Sequence, residues 1–167
     1  MTAKYNVLYN GKISLQKGID ELANQYEDNY WEILPIEPLL LDTEEKIKIK
    51  KREEESNEGT KTHFEITEEK AVKSIQKHGM NIGGEEHNKQ TDDAYLLLGK
   101  SRYYSQRFVP ALEAFDYLLR NFQTEDLSHE LNIWKAKTQI RLQNEERAIK
   151  TLRNLLYYFS YLLPSFL

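Results

Sequence analysis

The chain has 167 residues, 40% apolar and 30% charged, with a mean hydropathy of −0.72 and a net charge of −4. That length and apolar share suffice for one domain with a core beneath a strongly hydrated surface, and the acidic balance removes the basic field that a nucleic-acid binder needs. The absence of cysteine excludes disulfides, thiolate nucleophiles and thiolate zinc sites together, and leaves the compartment open.

The first residues, MTAKYNVLYNGKISLQ, lack the apolar stretch of about 7–15 residues that marks a secretory signal. Over Ala3–Gln25, Tyr5, Leu8 and Tyr9, then Ile13, Leu15 or Gln16, Ile19 and Leu22 recur at spacings of three and four. The period predicts an amphipathic first helix with Gly11 and Gly18 as its close-packing or weak points. Residues 30–41, YWEILPIEPLLL, carry Pro35 and Pro38, which remove backbone donors and bias the residues before them to extended conformations. An extended strap is expected, with Trp31, Ile33, Leu34 and Ile36 lying across a helical groove. Residues 1–41 thus make a helix-and-strap portion.

Residues 42–62, DTEEKIKIKKREEESNEGTKT, alternate basic and acidic blocks around Ile47 and Ile49. That composition predicts a disordered charged insertion. EEE directly after KIKIKKR argues against a nucleic-acid patch.

Further helices are expected over residues 63–157. Thr67 followed by Glu68 and Glu69 reads as an N-cap with an acidic first turn, and Ala71, Val72, Ile75 and His78 as an inner stripe. That helix should end near Gly79, with Gly83-Gly84 as a second breaker. The next helix is expected over residues 86–105 and its partner over 109–121, with Pro110 in the first turn. Within this pair, Leu98-Gly99 lies in the first helix, Ala111 opens the second, and Phe115 follows four residues later. Gly99 and Ala111 belong where two helices approach closely, while Tyr95, Phe108 and Phe115 fill the space around them. This arrangement is the signature of a tetratricopeptide repeat.

An offset of 37 residues brings Ala136 onto Gly99, Ala148 onto Ala111, Leu142 onto Ser105, Leu152 onto Phe115 and Leu155 onto Leu118. The second copy is weaker, with Lys135 in the place of Leu98 and Glu145 in that of Phe108. The first helix and the helix from Thr67 are expected to form a diverged repeat split by the insertion. The expected fold is therefore an all-α, tetratricopeptide-repeat-like solenoid of antiparallel helix pairs. At the end, residues 155–167 form an apolar run of 13 residues containing Pro164, short of the roughly 20 that span a membrane as a helix. Residues 158–167 read as an atypical tail.

Catalytic patterns are missing. His63, His78, His87 and His129 have no HxxxH or HExxH spacing, no serine sits in a GxSxG or SxxK context, and no Lys-Ser/Thr follows the glycines of HGMNIGGEEHN. Glu85-Glu86, Asp92-Asp93 and Glu145-Glu146 are adjacent pairs, which diverge by about 100° on a helix and do not converge on one substrate. No enzyme, metal, cofactor or small-molecule substrate is expected.

Binding is the remaining class. The first helix of each repeat would line a concave face, through Asp93, Leu96, Lys100, Tyr103 and Tyr104 in one copy and Glu130, Ile133, Lys137, Ile140 and Arg141 in the other. Lys100, Lys137 and Arg141, with Tyr103 and Tyr104, are candidates to hold a peptide carboxylate while the rings cover its apolar part. The competing reading makes them solvated cations and packing rings on a purely structural repeat spacer, or on a non-functional truncated remnant without its own ligand.

The stretches TAKYNVLYNGK, LQKGIDELANQYEDNYWEILPIEPL, EEKAVKSIQKHGM, NKQTDDAYLLLGKSRYYSQRFVPALEAFDYLLRNF and IWKAKTQIRLQNEERAIKTLRNLL together resemble the N-terminal region of the large tetratricopeptide-repeat lipoproteins of Bacteroidota, the SprE/PorW type. The resemblance implies an outer-membrane lipoprotein facing the periplasm, a scaffold for type IX secretion and gliding-motility components, with other cell-envelope proteins as partners. It carries over no catalytic residue. It also implies a signal with an acylated cysteine and many further repeats, whereas this sequence starts at MTAKYN and ends in YYFSYLLPSFL. A lipid anchor would then be the sole membrane attachment, and this chain a part of a longer protein.

Overall fold

The computed structural model describes residues 3–31, 33–39, 41, 61–78, 81–82, 85–86, 90–122 and 124–162. Apart from Lys61 and Thr62, the expected charged insertion lies outside them. Among the described residues the fold is all-α apart from one short β pair: α1 Ala3–Gln25, α2 His63–His78, α3 Thr91–Tyr104, α4 Phe108–Asn121, α5 Glu125–Arg141 and α6 Glu145–Leu162. Between α2 and α3, β1 (Asn81–Ile82) pairs antiparallel with β2 (Glu85–Glu86), in the register Asn81 to Glu86 and Ile82 to Glu85. Consecutive helices pack on one another, and α3 also touches α1 and α5. This arrangement is compatible with an α-solenoid.

Helix α1 has the expected bounds and a shifted inner face. Leu8, Gly11, Leu15 and Gly18 are buried with Leu22 half-buried, a strict alternation of three and four residues, whereas Tyr9, Ile13 and Gln16 face out. The glycines set the face because they let α2 and α3 come close. A Cβ on Gly18 would lie 2.8 Å from the Phe64 ring, and one on Gly11 2.8 Å from Leu97 Cδ2.

Helix α2 starts at His63, not at Thr67. Thr62 makes the cap: its hydroxyl accepts from the Glu65 amide at 3.2 Å and its amide donates to Glu65 Oε2 at 2.9 Å, a reciprocal capping box. Thr67 is fully buried one turn inside, where its hydroxyl lies 2.8 Å from the His63 carbonyl and 3.3 Å from the Gly11 carbonyl of α1, both acceptors for its proton. Helix α3 likewise starts at Thr91, later than expected, because the backbone of Glu85 and Glu86 is committed to the β pair.

Helix α3 is enclosed on almost every side. Leu96 and Tyr103 join one core cluster, with Ala111, Phe115, Leu118 and Leu131, while Ala94, Leu97 and Leu98 join another, with Leu8, Leu15 and Ala71. Helix α4 comes close at Gly99, where a Cβ would clash with the Phe115 ring. No L side chain fits there without moving an enclosed ring.

The hairpin α3–α4 and the hairpin α5–α6 turn in the same way. In the first, the amides of Ser105, Gln106, Arg107 and Ala111 donate to the carbonyls of Ser101, Tyr103, Arg102 and Arg107; in the second, those of Leu142, Gln143, Asn144 and Ala148 donate to Thr138, Ile140, Gln139 and Asn144. Every donor and acceptor is displaced by the same 37 residues. Gln106 and Gln143, also 37 apart, take the left-handed conformation, with φ of 59° and 57°. The cores differ more. Ala136 and Ala148 are buried like Gly99 and Ala111, but Leu152 is 37% exposed where Phe115 is enclosed. Phe115 is covered by Trp134 of the following hairpin, at 6.0 Å between ring centroids, and among the described residues no further helix covers Leu152. Helix α6 also runs beyond residue 157 to Leu162, so the expected tail begins within a helix.

Candidate functional site

The candidate binding residues come together on the side of α3 and α5 that faces the strap. Lys100 and Lys137 stand on successive inner helices at the 37-residue offset, and both reach over Trp134, with Nζ at 5.2 Å and 4.6 Å from the indole centroid. Such cation–π contacts hold ammonium groups at an apolar wall while leaving protons to donate. Tyr103 packs edge-on against Tyr104, Phe108 and Trp134, and Arg141 Nε donates to its hydroxyl at 3.3 Å.

The face is not open, as the sequence had suggested. Tyr103 and Leu96 are buried, and the crevice contains the chain's own strap. Leu39, 2% exposed, is part of the cluster formed by Leu96, Tyr103 and Leu131. Two residues earlier, the Glu37 carboxylate accepts from Lys137 Nζ at 2.6 Å. Pro38 lies between them, and the Leu39 amide donates back to the Glu37 carbonyl at 2.6 Å, a tight turn that suits the fixed φ of proline. The strap is therefore bent at its anchor, not extended throughout.

The expected strap anchors do not anchor it. Trp31 is 96% exposed, Ile33 is 100% exposed, and Leu34 and Ile36 are also exposed. Glu37, Pro38 and Leu39 form the contact instead.

The electrostatics of the crevice follow from this occupancy. Burial pushes the Tyr103 phenol up to about 12, opposed by the Arg141 hydrogen bond and assisted by the Glu37 charge. Burial also raises Tyr104, with the Glu37 charge next in effect. Both rings are uncharged donors at neutral pH. Lys100 is engaged by Glu130 Oε1 at 2.6 Å. Burial works to raise Glu130, but the Lys100 hydrogen bond and charge outweigh it, and its carboxyl stays below the ordinary value of 4.5.

A repeated pattern underlies these pairs. Lys12 of α1 meets Asp93 of α3 at 3.1 Å, Lys100 of α3 meets Glu130 of α5, and Lys137 of α5 meets Glu37 of the strap. Asp93 and Glu130 are themselves 37 residues apart. Each inner helix thus offers a lysine to an acid on the segment beside it, and for α5 that segment is the strap. The Tyr103 and Tyr104 phenols also interact with the Glu37 carboxylate, whereas Arg141 Nη2 is buried and has no hydrogen-bond partner among the described residues.

Sequence reasoning missed Trp134, Glu37 and Leu39. Trp134 was legible as the aromatic between Glu130 and Lys137 on one helical face. Glu37, framed by Pro35 and Pro38, was readable as a side chain presented by a stiffened backbone.

A separate pocket of about 420 Å³ lies between α4, α5 and α6, lined by Leu119, Phe122, Asn132, Leu155 and Tyr158 among others. It contains none of the candidate binding residues. Its histidine, His129, stands edge-on to Tyr158 at 5.3 Å between ring centroids. Among the described residues no cluster of three or more acidic or histidine side chains is placed to hold a metal, and no helix is long and apolar enough to cross a membrane. No protein-family model matches the chain, and no curated protein is significantly similar to it.

Proposed function

We propose that this chain is a non-enzymatic protein-binding module of the tetratricopeptide-repeat type. In the reading implied by the sequence resemblance, it belongs to a cell-envelope lipoprotein scaffold on the periplasmic side of the outer membrane, supporting type IX secretion and gliding motility. The observation that carries the binding role is the crevice between α3 and α5, where cations, phenols and an indole surround a glutamate carboxylate and the leucine two residues after it. The recurrence of one turn at a fixed offset supports the repeat assignment. Neither observation identifies the envelope partner, which rests on the resemblance.

The test is calorimetric titration of the purified chain with the periplasmic domains of secretion-machine components. Binding at micromolar strength or tighter, weakened at least about tenfold by Lys100→Glu, is the expected outcome for a contact through this face. Failure of every component to bind favours a second reading, a structural spacer whose crevice is satisfied internally. The buried Leu39 and the Glu37 carboxylate paired with Lys137 specifically favour that alternative.

A further inference from the structure

The strap occupies the crevice in a way that reveals what the crevice selects. Three consecutive residues make the contact: a carboxylate on Lys137, a proline at the centre of a tight turn, and a leucine sunk between Leu96, Tyr103 and Leu131. On the N-terminal side the chain grips little, since Ile33 and Trp31 are almost wholly exposed. We infer that the crevice is a recognition site for a Glu-Pro-Leu turn, that residues 37–39 are its resident ligand, and that a peptide of the same pattern from another protein exchanges with them. The inference rests on reading the crevice as a peptide site, and adds the ligand pattern and the internal competitor.

Three features carry it. The contact is short along the chain, made by residues 37–39 while Trp31, Ile33, Leu34 and Ile36 stay exposed. The guanidinium is incompletely engaged, with Arg141 Nη2 buried and without a hydrogen-bond partner among the described residues, which favours a ligand whose carboxylate reaches it. The receptor cations keep other contacts, Lys137 on Trp134 and Arg141 on Tyr103, so the crevice is not left without support when the strap leaves. Because the resident is tethered, it competes at a high effective concentration and masks the site from free peptides.

The experiment uses the full chain and a fluorescein-labelled synthetic peptide of residues 33–39, ILPIEPL, read by fluorescence anisotropy. Glu37→Lys places a cation against Lys137 and Arg141 and ejects the resident carboxylate. The probe is expected to bind this variant at least about tenfold more tightly than the unaltered chain, the gain that comes from removing a tethered competitor. A probe with glutamine for its glutamate should lose most of that gain. Leu39→Ser weakens the other anchor, leaves every cation in place, and should show the same tightening if Glu37→Lys does not fold.

Circular dichroism and thermal melting establish which variants are folded. A folded variant of either kind that binds the probe no better than the unaltered chain, or binds the glutamine probe equally well, overturns the inference. Titration of envelope components is independent of this result. Probe binding without component binding removes the envelope role and keeps the site, and the reverse removes the site and keeps the role.

Discussion

The two hairpins α3–α4 and α5–α6 share a turn that matches bond for bond and have unequal interiors. In α3–α4 the inner helix carries Gly99 under an enclosed Phe115, and α5 closes over the outside through Trp134. In α5–α6 an alanine and a partly exposed leucine stand in the same places. The turn is local, set by a few backbone hydrogen bonds and a left-handed residue, so it takes the same form beside unlike interiors. The interior depends on neighbours, and is preserved where a further helix packs against it.

The largest test of this difference removes the paired side chains. Phe115→Ala should cost about 3–5 kcal/mol, because an enclosed aromatic leaves a cavity, whereas Leu152→Ala should cost less than about 1 kcal/mol. Urea denaturation of both variants measures the gap. Equal losses would mean that α6 is as well covered as α4.

Next in size is the backbone approach. Gly99→Leu should destabilise by about 2 kcal/mol or more through overpacking against Phe115. Ala136→Gly, the reverse change in the second hairpin, should cost about 1 kcal/mol from helix propensity. Similar thermal melting of Gly99→Leu and the unaltered chain would remove the close contact on which the repeat alignment depends.

The smallest test uses pH. Tyr103 corresponds to Ile140 in the second hairpin, so one of the two copies titrates. Its folded value is raised from 10.0 to about 12, chiefly by burial. The folded state therefore binds the proton more tightly than the unfolded state. The resulting stability is present in full below pH 10.0 and is lost as pH rises through about 12. Denaturation at pH 9 and 11, compared with Tyr103→Phe, should show the unaltered chain losing more stability across that interval.

What could be read in advance follows a physical division. The first helix, the α3–α4 hairpin and the 37-residue offset were legible because small residues at fixed spacings report helix contacts. Thr67 misled because a threonine before two glutamates looks like a cap, while the working cap, Thr62, stands at the edge of a highly charged stretch. Lys100, Lys137 and Arg141 were placed on one side by helical periodicity, and the structure brings them to the crevice beside Trp134 and Tyr103. Their occupant was not, because Glu37 lies 100 residues before Lys137, a separation over which periodicity carries no information. For the same reason Tyr103 read as a surface ring: its exposure is decided by the strap and α5, not by its own helix.

The enclosure of α3 has a further consequence for how the molecule comes apart. A simple repeat array opens module by module from its ends, each piece costing its own interface. Here Leu96 and Tyr103 face one core and Ala94, Leu97 and Leu98 the other, so neither core can open without stripping a side of the same fourteen-residue helix. Melting of α1 with α2 is thereby coupled to melting of α4 with α5, and the amides of α3 become the slowest to exchange. The cooperative unit is wider than a single hairpin.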